Sequence, residues 1–526
     1  MKSPDTTKII ISILFQDKQV GFGKTELPLH AIFQALGMNR DISALSDQYF
    51  DILVIGGGIF GAGVARDATL RGLRVALVEK LDFASGTSSR SSKLIHGGFR
   101  YLQQRNFKLV FEACRERRIL QRIAPHLVRP LPFLFPIYKG GSLSLAKLRL
   151  GMTLYDWLAL YRNIASHRML SAKRALEMEP SLSCHGLRGA VMFYDCQEDD
   201  ARFCVDHILH AAELGAVCLN YCALTGFVTR EDRIVAARVR DEVGSCTSEV
   251  TARMFINAAG PWVDQVRALT PFDGDATRLS PTKGVHLVLP RLTQDHAIAF
   301  QARRDGRVLF VIPWGDYSLV GTTDTEFHGD LDSAHAERAD VEYLLTEVRA
   351  LFPDALVSEA EIATTFTGVR SLLASNVALP SARSREHRIV RHGRNLLSIV
   401  GGKYTTYRAI AQQTVDAAVN ILKVTTQPCL TAEVPLANHR PAPTGEKISN
   451  SPIVCVSDIV HACEQEMAIT LSDVMRRRTQ LALSRAGGPE IALQVARVMA
   501  PLLGWSPDEE RAQFEHYAEE WNRNLP

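Results

Sequence analysis

The sequence predicts an α/β fold with an inserted antiparallel sheet and a helical C-terminal region. Residues 51–79 read as strand, glycine turn, helix, strand and acid. Residues 280–330 contain short apolar runs that are typical of strands, and residues 451–526 follow a mostly helical pattern. Together these observations indicate a parallel-sheet domain that carries a second sheet and a separate helical region.

The glycine turn after the first strand is the strongest local signal in the chain. Gly56, Gly58 and Gly61 fill the pattern G-x-G-x-x-G between a strand and a helix. The first glycine permits a tight turn, the second lets backbone approach a pyrophosphate, and the third lets helix and strand pack closely. The N–H groups and the positive dipole end of the helix would then face the phosphates. The turn predicts a Rossmann-type dinucleotide-binding domain.

Glu79 ends the second strand of this unit, about 20 residues after the glycines. An acidic side chain at this position hydrogen-bonds a ribose 2′-hydroxyl and disfavours a 2′-phosphate. The ligand predicted from these residues is therefore FAD or NAD.

The composition is that of a globular protein without a strong electrostatic preference. The chain has 46% hydrophobic residues, and its 60 Lys and Arg against 57 acids give a net charge of +3. This balance is too small to indicate a nucleic-acid partner. The 10 cysteines include no Cys-x-x-Cys pair, so they are expected to be reduced in a cytosolic compartment, and no metal site is predicted. Neither a membrane-spanning helix nor a signal peptide is expected.

A loop rich in hydroxyl groups and glycines follows at residues 81–101 and ends in cations. Thr87, Ser88 and Ser92 are expected to bind the cofactor, because hydroxyls bond phosphate or ribose. The alternative is a solvated loop of turn-forming serines. Composition alone leaves the two interpretations equal.

Two later strands also run into turns of small residues. They are predicted at residues 250–256 and 396–400. A glycine turn that enters a helix N-terminus suits the anchoring of the far end of a long cofactor. The turn residues expected to contact the cofactor are Ala259, Gly260, Gly401 and Gly402.

Helical spacing of apolar residues predicts helices at residues 106–124 and 203–214. Cys114 lies on the apolar face of the first helix, so it is expected to be a core residue rather than a nucleophile. Trp262 and Trp314 are also assigned to the core.

Short motifs of glycines, hydroxyls and cations occur between residues 49 and 412. They lie at residues 56–63, 87–89, 92–98, 100–101, 199–202, 257–262, 313–314, 321–324, 368–370 and 401–403. These motifs resemble those of the FAD-dependent glycerol-3-phosphate dehydrogenases, the aerobic and quinone-linked type. The block at residues 93–101 is the most diagnostic, and residues 1–48 lie outside the resemblance.

The resemblance implies FAD rather than NAD. It also implies oxidation of sn-glycerol 3-phosphate to dihydroxyacetone phosphate, with a hydride passed to flavin N5 and electrons passed on to a membrane quinone. The alternatives are a dehydrogenase or oxidase of another polyol phosphate, such as erythritol phosphate, and a non-catalytic flavin-binding homologue.

The resemblance further implies a cationic substrate pocket. His96 is the candidate base, because its ordinary pKa lies near neutrality; the alternative is that it only orients the substrate hydroxyl. An arginine guanidinium suits a bidentate contact with phosphate, and Lys403 is expected either to stabilise reduced flavin or to reach the phosphate. The predicted catalytic set is His96, Arg370 and Lys403, and the predicted substrate-binding set is Lys93, Arg100, Tyr101 and, by a looser match, Arg385.

Three residues depart from the usual family pattern. Phe60 stands where the family usually has Asn, Ser371 where it usually has Pro, and Tyr404 where it often has Leu. These departures leave open the fine geometry at the pyrophosphate and around Arg370.

The chain is expected to divide into four segments. Within the second segment, the parts at about 125–200 and 265–385 are expected to belong mostly to the substrate-binding sheet. The segments are an N-terminal appendage without an assigned role (1–48), an FAD-dependent oxidoreductase domain (49–425), a linker (426–450) and a helical C-terminal domain (451–526).

Residues 143–160 follow a basic amphipathic pattern that includes Trp157. Such a segment suits either the headgroup region of a membrane or a helix that covers the core, and the pattern favours neither. Because a quinone acceptor requires membrane contact, the resemblance favours peripheral association with the cytoplasmic face of a membrane. A homodimer is compatible with the sequence, which leaves the oligomeric state open.

Overall fold

The computed structural model describes residues 40–98, 107–140, 145–158, 164–272, 278–355, 357–374, 386–440 and 442–526, so most of the predicted appendage at 1–48 lies outside the described residues. The strands in these ranges are β1 Phe50–Ile55, β2 Val75–Val78, β3 Leu94–Ile95, β4 Arg129–Tyr138, β5 Arg168–Ser171, β6 Leu187–Gln197, β7 Val217–Leu219, β8 Cys222–Arg230, β9 Arg233–Asp241, β10 Thr247–Val250, β11 Ala252–Asn257, β12 Thr282–Pro290, β13 Ala297–Gln301, β14 Val308–Trp314, β15 Tyr317–Gly321, β16 Thr325–Glu326, β17 Thr364–Arg370, β18 His387–His392, β19 Leu396–Gly401, β20 Lys447–Asn450 and β21 Ile453–Cys455. The α-helices in these ranges are α1 Ser43–Ser46, α2 Ile59–Leu70, α3 Phe107–Ile123, α4 Leu145–Leu158, α5 Ala172–Met178, α6 Asp200–Glu213, α7 Val263–Arg267, α8 Arg338–Leu351, α9 Tyr407–Leu422, α10 Val456–Gln465, α11 Leu471–Asp473, α12 Pro489–Leu503 and α13 Pro507–Arg523.

A six-stranded sheet forms the nucleotide-binding domain, in the order β18-β19-β11-β1-β2-β7. Strand β1 pairs in parallel with β11 on one side and β2 on the other, and the edge strand β18 runs antiparallel to β19. Ile52 and Val54 of β1 pack in one core with α2, α6 and α9, whereas Leu53 and Ile55 pack with the small sheet β10-β9-β8. Because both faces are covered, residues 52–55 of the strand are a continuous apolar run. The Rossmann-type prediction is confirmed.

A ten-stranded sheet forms the inserted part, in the order β16-β12-β15-β14-β13-β4-β6-β3, with β17 on β12 and β5 on β6. Strands β12, β15, β14 and β13 are successive antiparallel neighbours, whereas β13 pairs in parallel with β4. One face packs on α8 and the other on α3 and α4. The predicted antiparallel sheet is confirmed. It is larger than residues 280–330, because it also contains β4, β6 and β17.

The C-terminal region is helical, as predicted. The described residues that come before it, 424–440 and 442–446, contain no helix or strand, and part of this segment packs along the nucleotide-binding domain. There the Leu436 N–H donates to the Ile123 carbonyl at 2.7 Å, and Arg66 donates to the Val434 carbonyl at 2.8 Å. The hairpin β20-β21 and helices α10–α13 then enclose a core of their own. Within the described ranges, no helix is long and apolar enough to cross a lipid bilayer.

Candidate active site

A cavity of about 840 Å³ opens where β1, β2 and β11 end and continues to β12 and β17 of the second sheet. Its volume lies within the range of about 300–1,000 Å³ that is usual for ligand pockets. Ligands of open α/β sheets bind outside the carboxyl ends of the strands. The cavity is therefore the candidate binding site of the predicted dinucleotide.

The glycine turn brings bare backbone to one end of this cavity, which Gly56 and Gly58 line. Gly56 has a φ of +109°, and a Cβ at this position would lie 2.8 Å from the Ala258 carbonyl oxygen. A Cβ at Gly61 would overlap the carbonyl oxygen of Gly56. The Ile59 N–H, in the first turn of α2, donates to the Ser88 hydroxyl at 2.9 Å. The turn has the strand–turn–helix geometry that the sequence predicts.

Glu79 holds the backbone around the glycine turn. One carboxylate oxygen accepts from the Gly57 N–H at 2.7 Å, and the other accepts from the Leu81 N–H at 3.0 Å. Burial raises the pKa of Glu79, while these two N–H groups oppose the rise. Its side chain lines the cavity, as its predicted contact with the nucleotide requires.

The hydroxyl-rich loop is a structured wall of the cavity. Thr87 donates to the Val369 carbonyl at 2.6 Å, and the Ser92 hydroxyl lies 2.9 Å from His286 Nε2. Thr87, Ser88 and Ser92 all line the cavity, and Ser88 is buried. These two contacts join the loop to β17 and β12 of the ten-stranded sheet, so the alternative of a solvated loop is wrong.

Trp262 is a wall residue of the cavity rather than the core residue that the sequence interpretation expected. The Lys80 ammonium lies 4.5 Å from the centroid of its ring. Ala259 and Gly260 line the cavity just before it, at the end of β11. The turn after β11, which is predicted to contact the cofactor, therefore lines the cavity with an aromatic ring beside it.

The second glycine turn lies beside the first. Gly401, Gly402 and Lys403 line the cavity, and Lys403 comes directly before the short 3-10 turn Tyr404–Thr406. A Cβ at Gly402 would lie 2.8 Å from the tip of the Phe60 ring. The bulky Phe60 is thus accommodated because Gly402 has no side chain.

Arg370 ends β17 with its guanidinium at the cavity wall. It donates to Asp324 at 3.0 Å and to the Thr322 hydroxyl at 2.8 Å. A Cβ at Gly284 would overlap the guanidinium, so the glycine lets Arg370 lie across β12. These contacts fix the plane of the guanidinium before any ligand binds.

Two histidines of the described ranges line the cavity, and His96 is the one that belongs to the predicted catalytic set. His96 follows β3 and is half-buried. His286 is buried on β12, stacked on Phe366 with ring centroids 4.6 Å apart and 7° between the planes. Burial lowers the pKa of His286 to about 3, and the charges of Arg370 and Lys93 act in the same direction. The sequence does contain a signal for His286: it is a polar residue within the apolar run 284–290, two residues after Gly284.

Lys93 lies behind the cavity rather than in its wall. Its ammonium forms a buried ion pair with Asp200 and a 3.4 Å contact with the Ser89 carbonyl. The same Asp200 accepts from the Ser91 N–H at 3.0 Å and from the Ser91 hydroxyl at 2.7 Å. Lys93 therefore orders the loop, and this geometry argues against the prediction that it contacts substrate. Tyr404, a departure from the family pattern, also donates to the Asp200 carbonyl, at 2.5 Å.

Arg100, Tyr101 and Arg385 lie outside the described residues, so their contacts with substrate stay predictions. The described residues fit FAD, because the dinucleotide turn, the acid Glu79 and the positively charged Arg370 and Lys403 line one cavity. The turn needs glycine, because a Cβ at Gly56 or Gly61 would clash with a backbone carbonyl oxygen.

Two protein-family models match the chain. The model described as FAD dependent oxidoreductase matches residues 51–408, and the model described as the C-terminal domain of alpha-glycerophosphate oxidase matches residues 403–510. The first match spans both large sheets, and the second spans α9 and most of the C-terminal helices.

Named relatives and a solved structure agree with these matches. Glycerol-3-phosphate dehydrogenase 2 of Mycobacterium tuberculosis is 36% identical over 507 residues, which covers 88% of this chain and 86% of the relative. Aerobic glycerol-3-phosphate dehydrogenase of Staphylococcus saprophyticus is 39% identical over 386 residues, which covers 72% and 68%. The glycerol-3-phosphate dehydrogenase of Bacillus halodurans, solved in complex with FAD, has a TM-score of 0.73 at 28% identity and covers 92% of this chain and 97% of that one. The chain belongs to the FAD-dependent oxidoreductases and, among them, to the glycerol-3-phosphate dehydrogenase family.

Proposed function

We propose that the protein oxidises sn-glycerol 3-phosphate to dihydroxyacetone phosphate and passes the electrons to a membrane quinone. The observation that carries this proposal is a single cavity that is lined both by a dinucleotide turn and by His96, Arg370 and Lys403. The relatives named above, which cover 72% to 88% of the chain, support the same substrate.

FAD, when bound, accepts the hydride that leaves the secondary carbon of the substrate. The chain's own part is to hold the cofactor with backbone and hydroxyl groups along the cavity wall. The residues proposed to hold it are Gly56, Gly58, Glu79, Thr87, Ser88, Ser92, Ala259, Gly260, Gly401 and Gly402, with Gly61 beneath the turn.

Arg370 is proposed to bind the substrate near the reacting carbon. Its contacts with Asp324 and Thr322 fix the guanidinium beforehand, so less freedom is lost when the substrate binds. Lys403 adds a second positive charge to the lining of the cavity. Arg100, Tyr101 and Arg385 stay proposed substrate contacts on the strength of the resemblance alone.

His96 is proposed to take the proton of the substrate hydroxyl. His286 is the second candidate, because it also lines the cavity and lies beside Arg370. Its pKa of about 3 makes it neutral at physiological pH but a weak base, so it suits accepting a hydrogen bond more than removing a proton.

Anaerobic bleaching of the flavin tests the reaction. Addition of sn-glycerol 3-phosphate to the purified flavoprotein is expected to bleach its visible absorbance, whereas glycerol leaves it unchanged because it lacks the phosphate. Bleaching by erythritol 4-phosphate but not by glycerol 3-phosphate would instead support another polyol phosphate. A bound flavin that no polyol phosphate bleaches would support the non-catalytic alternative.

The proposed quinone acceptor requires a surface that meets a membrane, and α3 and α4 offer one. These two helices pack against each other and expose Phe107, Phe111, Leu150 and Trp157, of which Leu150 is 74% exposed and Trp157 59% exposed. Exposed Lys108 and Arg149 neighbour these apolar side chains in the sequence of the two helices. Exposed apolar and basic side chains on two neighbouring helices suit an anionic headgroup region. We infer peripheral association with the cytoplasmic face of a membrane through this helix pair.

A further inference from the structure

The loop that follows β2 lines the cavity and carries a buried acid that points away from it. Residues Glu79, Lys80 and Leu81 before the acid line the cavity, and so do residues 85–88 after it. Asp82, at the centre of this loop, is fully buried and accepts a hydrogen bond from the Asn220 amide at 3.1 Å. Its remaining partners come from the C-terminal helical region.

Arg477 and Arg478 of the C-terminal region meet Asp82 in a buried ion-pair network. Arg477 donates to Asp82 at 2.5 Å, and Arg478 donates through two nitrogens at 2.9 and 3.0 Å. Arg477 also donates to Asp473 at 2.5 Å, and Arg478 lies 3.2 Å from a Glu466 carboxylate oxygen. All five side chains are almost completely shielded from solvent.

Such a network forms only when both regions are docked. A buried charge that loses its partner is strongly unfavourable, so Asp82 and the two arginines stabilise each other's position. The bidentate contact of Arg478 adds a fixed geometry to the charge pairing. The network therefore ties the loop to the C-terminal region at one defined place.

The next residues of the loop transmit this position to the glycine turn. Phe83 is fully buried beneath the turn, and a Cβ at Gly57 would lie 2.8 Å from its ring. The Ala84 N–H donates to the Gly57 carbonyl at 3.0 Å, and Glu79 accepts from the Gly57 N–H. Both sides of Asp82 are thus attached to the peptide units that approach the dinucleotide.

The C-terminal region also reaches the cavity directly. Glu520 of α13 lines the cavity and accepts from Ser472 at 2.7 Å and from Arg476 at 3.2 Å. The basic run at residues 476–478 is therefore an internal feature of this junction rather than a solvated charge cluster.

We propose that the C-terminal helical region is part of the FAD-binding site, with Arg477 and Arg478 as positioning residues that hold the Asp82 loop against the nucleotide half of the cofactor. The proposal predicts that loss of these ion pairs loosens FAD without altering the chemistry of the enzyme that still carries it. It concerns retention of FAD and does not depend on which polyol phosphate is oxidised.

The test measures FAD release from the full-length holoenzyme after dilution, as the rise in free-flavin fluorescence. Arg478→Gln and Asp82→Asn are expected to raise the release rate about tenfold or more, because each removes charge-assisted hydrogen bonds. Arg478→Lys keeps the charge but not the bidentate contact and is expected to fall between the wild type and Arg478→Gln. Turnover per bound flavin is expected to stay within about twofold of the wild type in every variant.

Arg408→Gln is the matched control. Arg408 makes a buried two-bond pair with Glu116 at 2.7 and 2.8 Å, but neither residue contacts the Asp82 loop. The control is expected to lower the melting temperature without accelerating FAD release. Release rates that are equal in the control and the Asp82-network variants would overturn the proposal, and so would unchanged hydrogen exchange of residues 79–88 in Arg478→Gln. If Arg478→Gln does not fold, Arg478→Lys and Asp82→Asn decide by the same comparison.

Discussion

At the residue scale, one of the two cavity histidines is poorly suited to taking a proton. His286 is buried beside Arg370 with its pKa lowered to about 3, so it stays neutral over the physiological range. A general base works best when its pKa lies near the working pH, which argues against His286. The other histidine, His96, is half-buried at the end of β3.

We expect His96→Ala to retain FAD and to lower kcat by about 10²- to 10⁴-fold, the usual contribution of a general base. Rapid-reaction measurement of flavin reduction by glycerol 3-phosphate checks this, with His286→Asn as the parallel variant. Flavin reduction that is slowed in His286→Asn but not in His96→Ala would assign the proton to His286.

The close contact between Gly284 and Arg370 leads to a second prediction at this scale. A methyl group at Gly284 would displace the guanidinium that Asp324 and Thr322 hold. We expect Gly284→Ala to raise KM for glycerol 3-phosphate about tenfold while FAD remains bound, because the displaced group contacts substrate and not the nucleotide. Steady-state kinetics at saturating acceptor measures this effect. An unchanged KM would remove Arg370 from the substrate site.

At the scale of elements, the predicted linker at residues 426–450 packs against the nucleotide-binding domain through its described residues before 441. Its composition, rich in Pro and Thr, predicts a connection between domains, yet Thr431 and Leu436 are buried against the nucleotide-binding domain. His439 of this segment faces Asp206 at 3.5 Å and Glu213 at 3.0 Å, both on α6. Burial alone would lower the pKa of His439, but the two acids outweigh it and raise the pKa to about 9.

This raised pKa predicts a pH-dependent contribution to stability. The pKa of His439 in the folded state lies above the ordinary value of 6.5, so the contribution is fully present below pH 6.5 and is lost as the pH rises through 9. We expect His439→Gln to lower the free energy of unfolding at pH 6 by up to about 3 kcal/mol, and by much less at pH 9.5. Urea unfolding of FAD-loaded protein at both pH values measures the difference. A loss of equal size at both values would contradict the ion pairing.

At the scale of the whole molecule, the site exists because two sheets meet. The six-stranded sheet contributes the glycine turns, and the ten-stranded sheet contributes Arg370 and His286. The loop that follows β2 of the six-stranded sheet contacts the ten-stranded sheet through the Ser92–His286 and Thr87–Val369 pairs. The substrate end of the site therefore depends on how the two sheets dock, whereas the nucleotide end is built largely within one of them.

The exposed helix pair predicts membrane binding of the whole molecule. We expect the double substitution of Leu150 and Trp157 by serine to lower binding to anionic phospholipid vesicles about tenfold or more, because both side chains would otherwise leave water. Co-flotation with vesicles measures the bound fraction. Ile453→Ser is the control, since Ile453 is 55% exposed but lies on the C-terminal hairpin. Flavin reduction in solution is expected to stay unchanged, and equal vesicle binding by both variants would reject this surface.

The nucleotide half of the protein could be predicted from the sequence because its signals are local. The strand, the glycine turn, the helix and Glu79 lie within about 30 residues, the usual length of a βαβ unit. The conformation of each of these parts follows from the residues next to it in the sequence. The antiparallel sheet was predictable from its apolar runs. Arg370 and Lys403, which line the cavity, belong to short motifs that also contain glycines.

Side-chain direction and long-range partners were decided by packing. Lys93 belongs to a cationic motif, but Asp200 draws its ammonium away from the cavity. His286 lies on β12 of the ten-stranded sheet, and it meets Ser92 only because the two sheets dock. Asp82 and Arg478 are 396 positions apart, and no local preference relates them. A motif specifies which chemical groups a segment carries. The partners of buried charges and rings are decided only when separate elements dock, because a buried charge or polar group needs a partner and an exposed one does not.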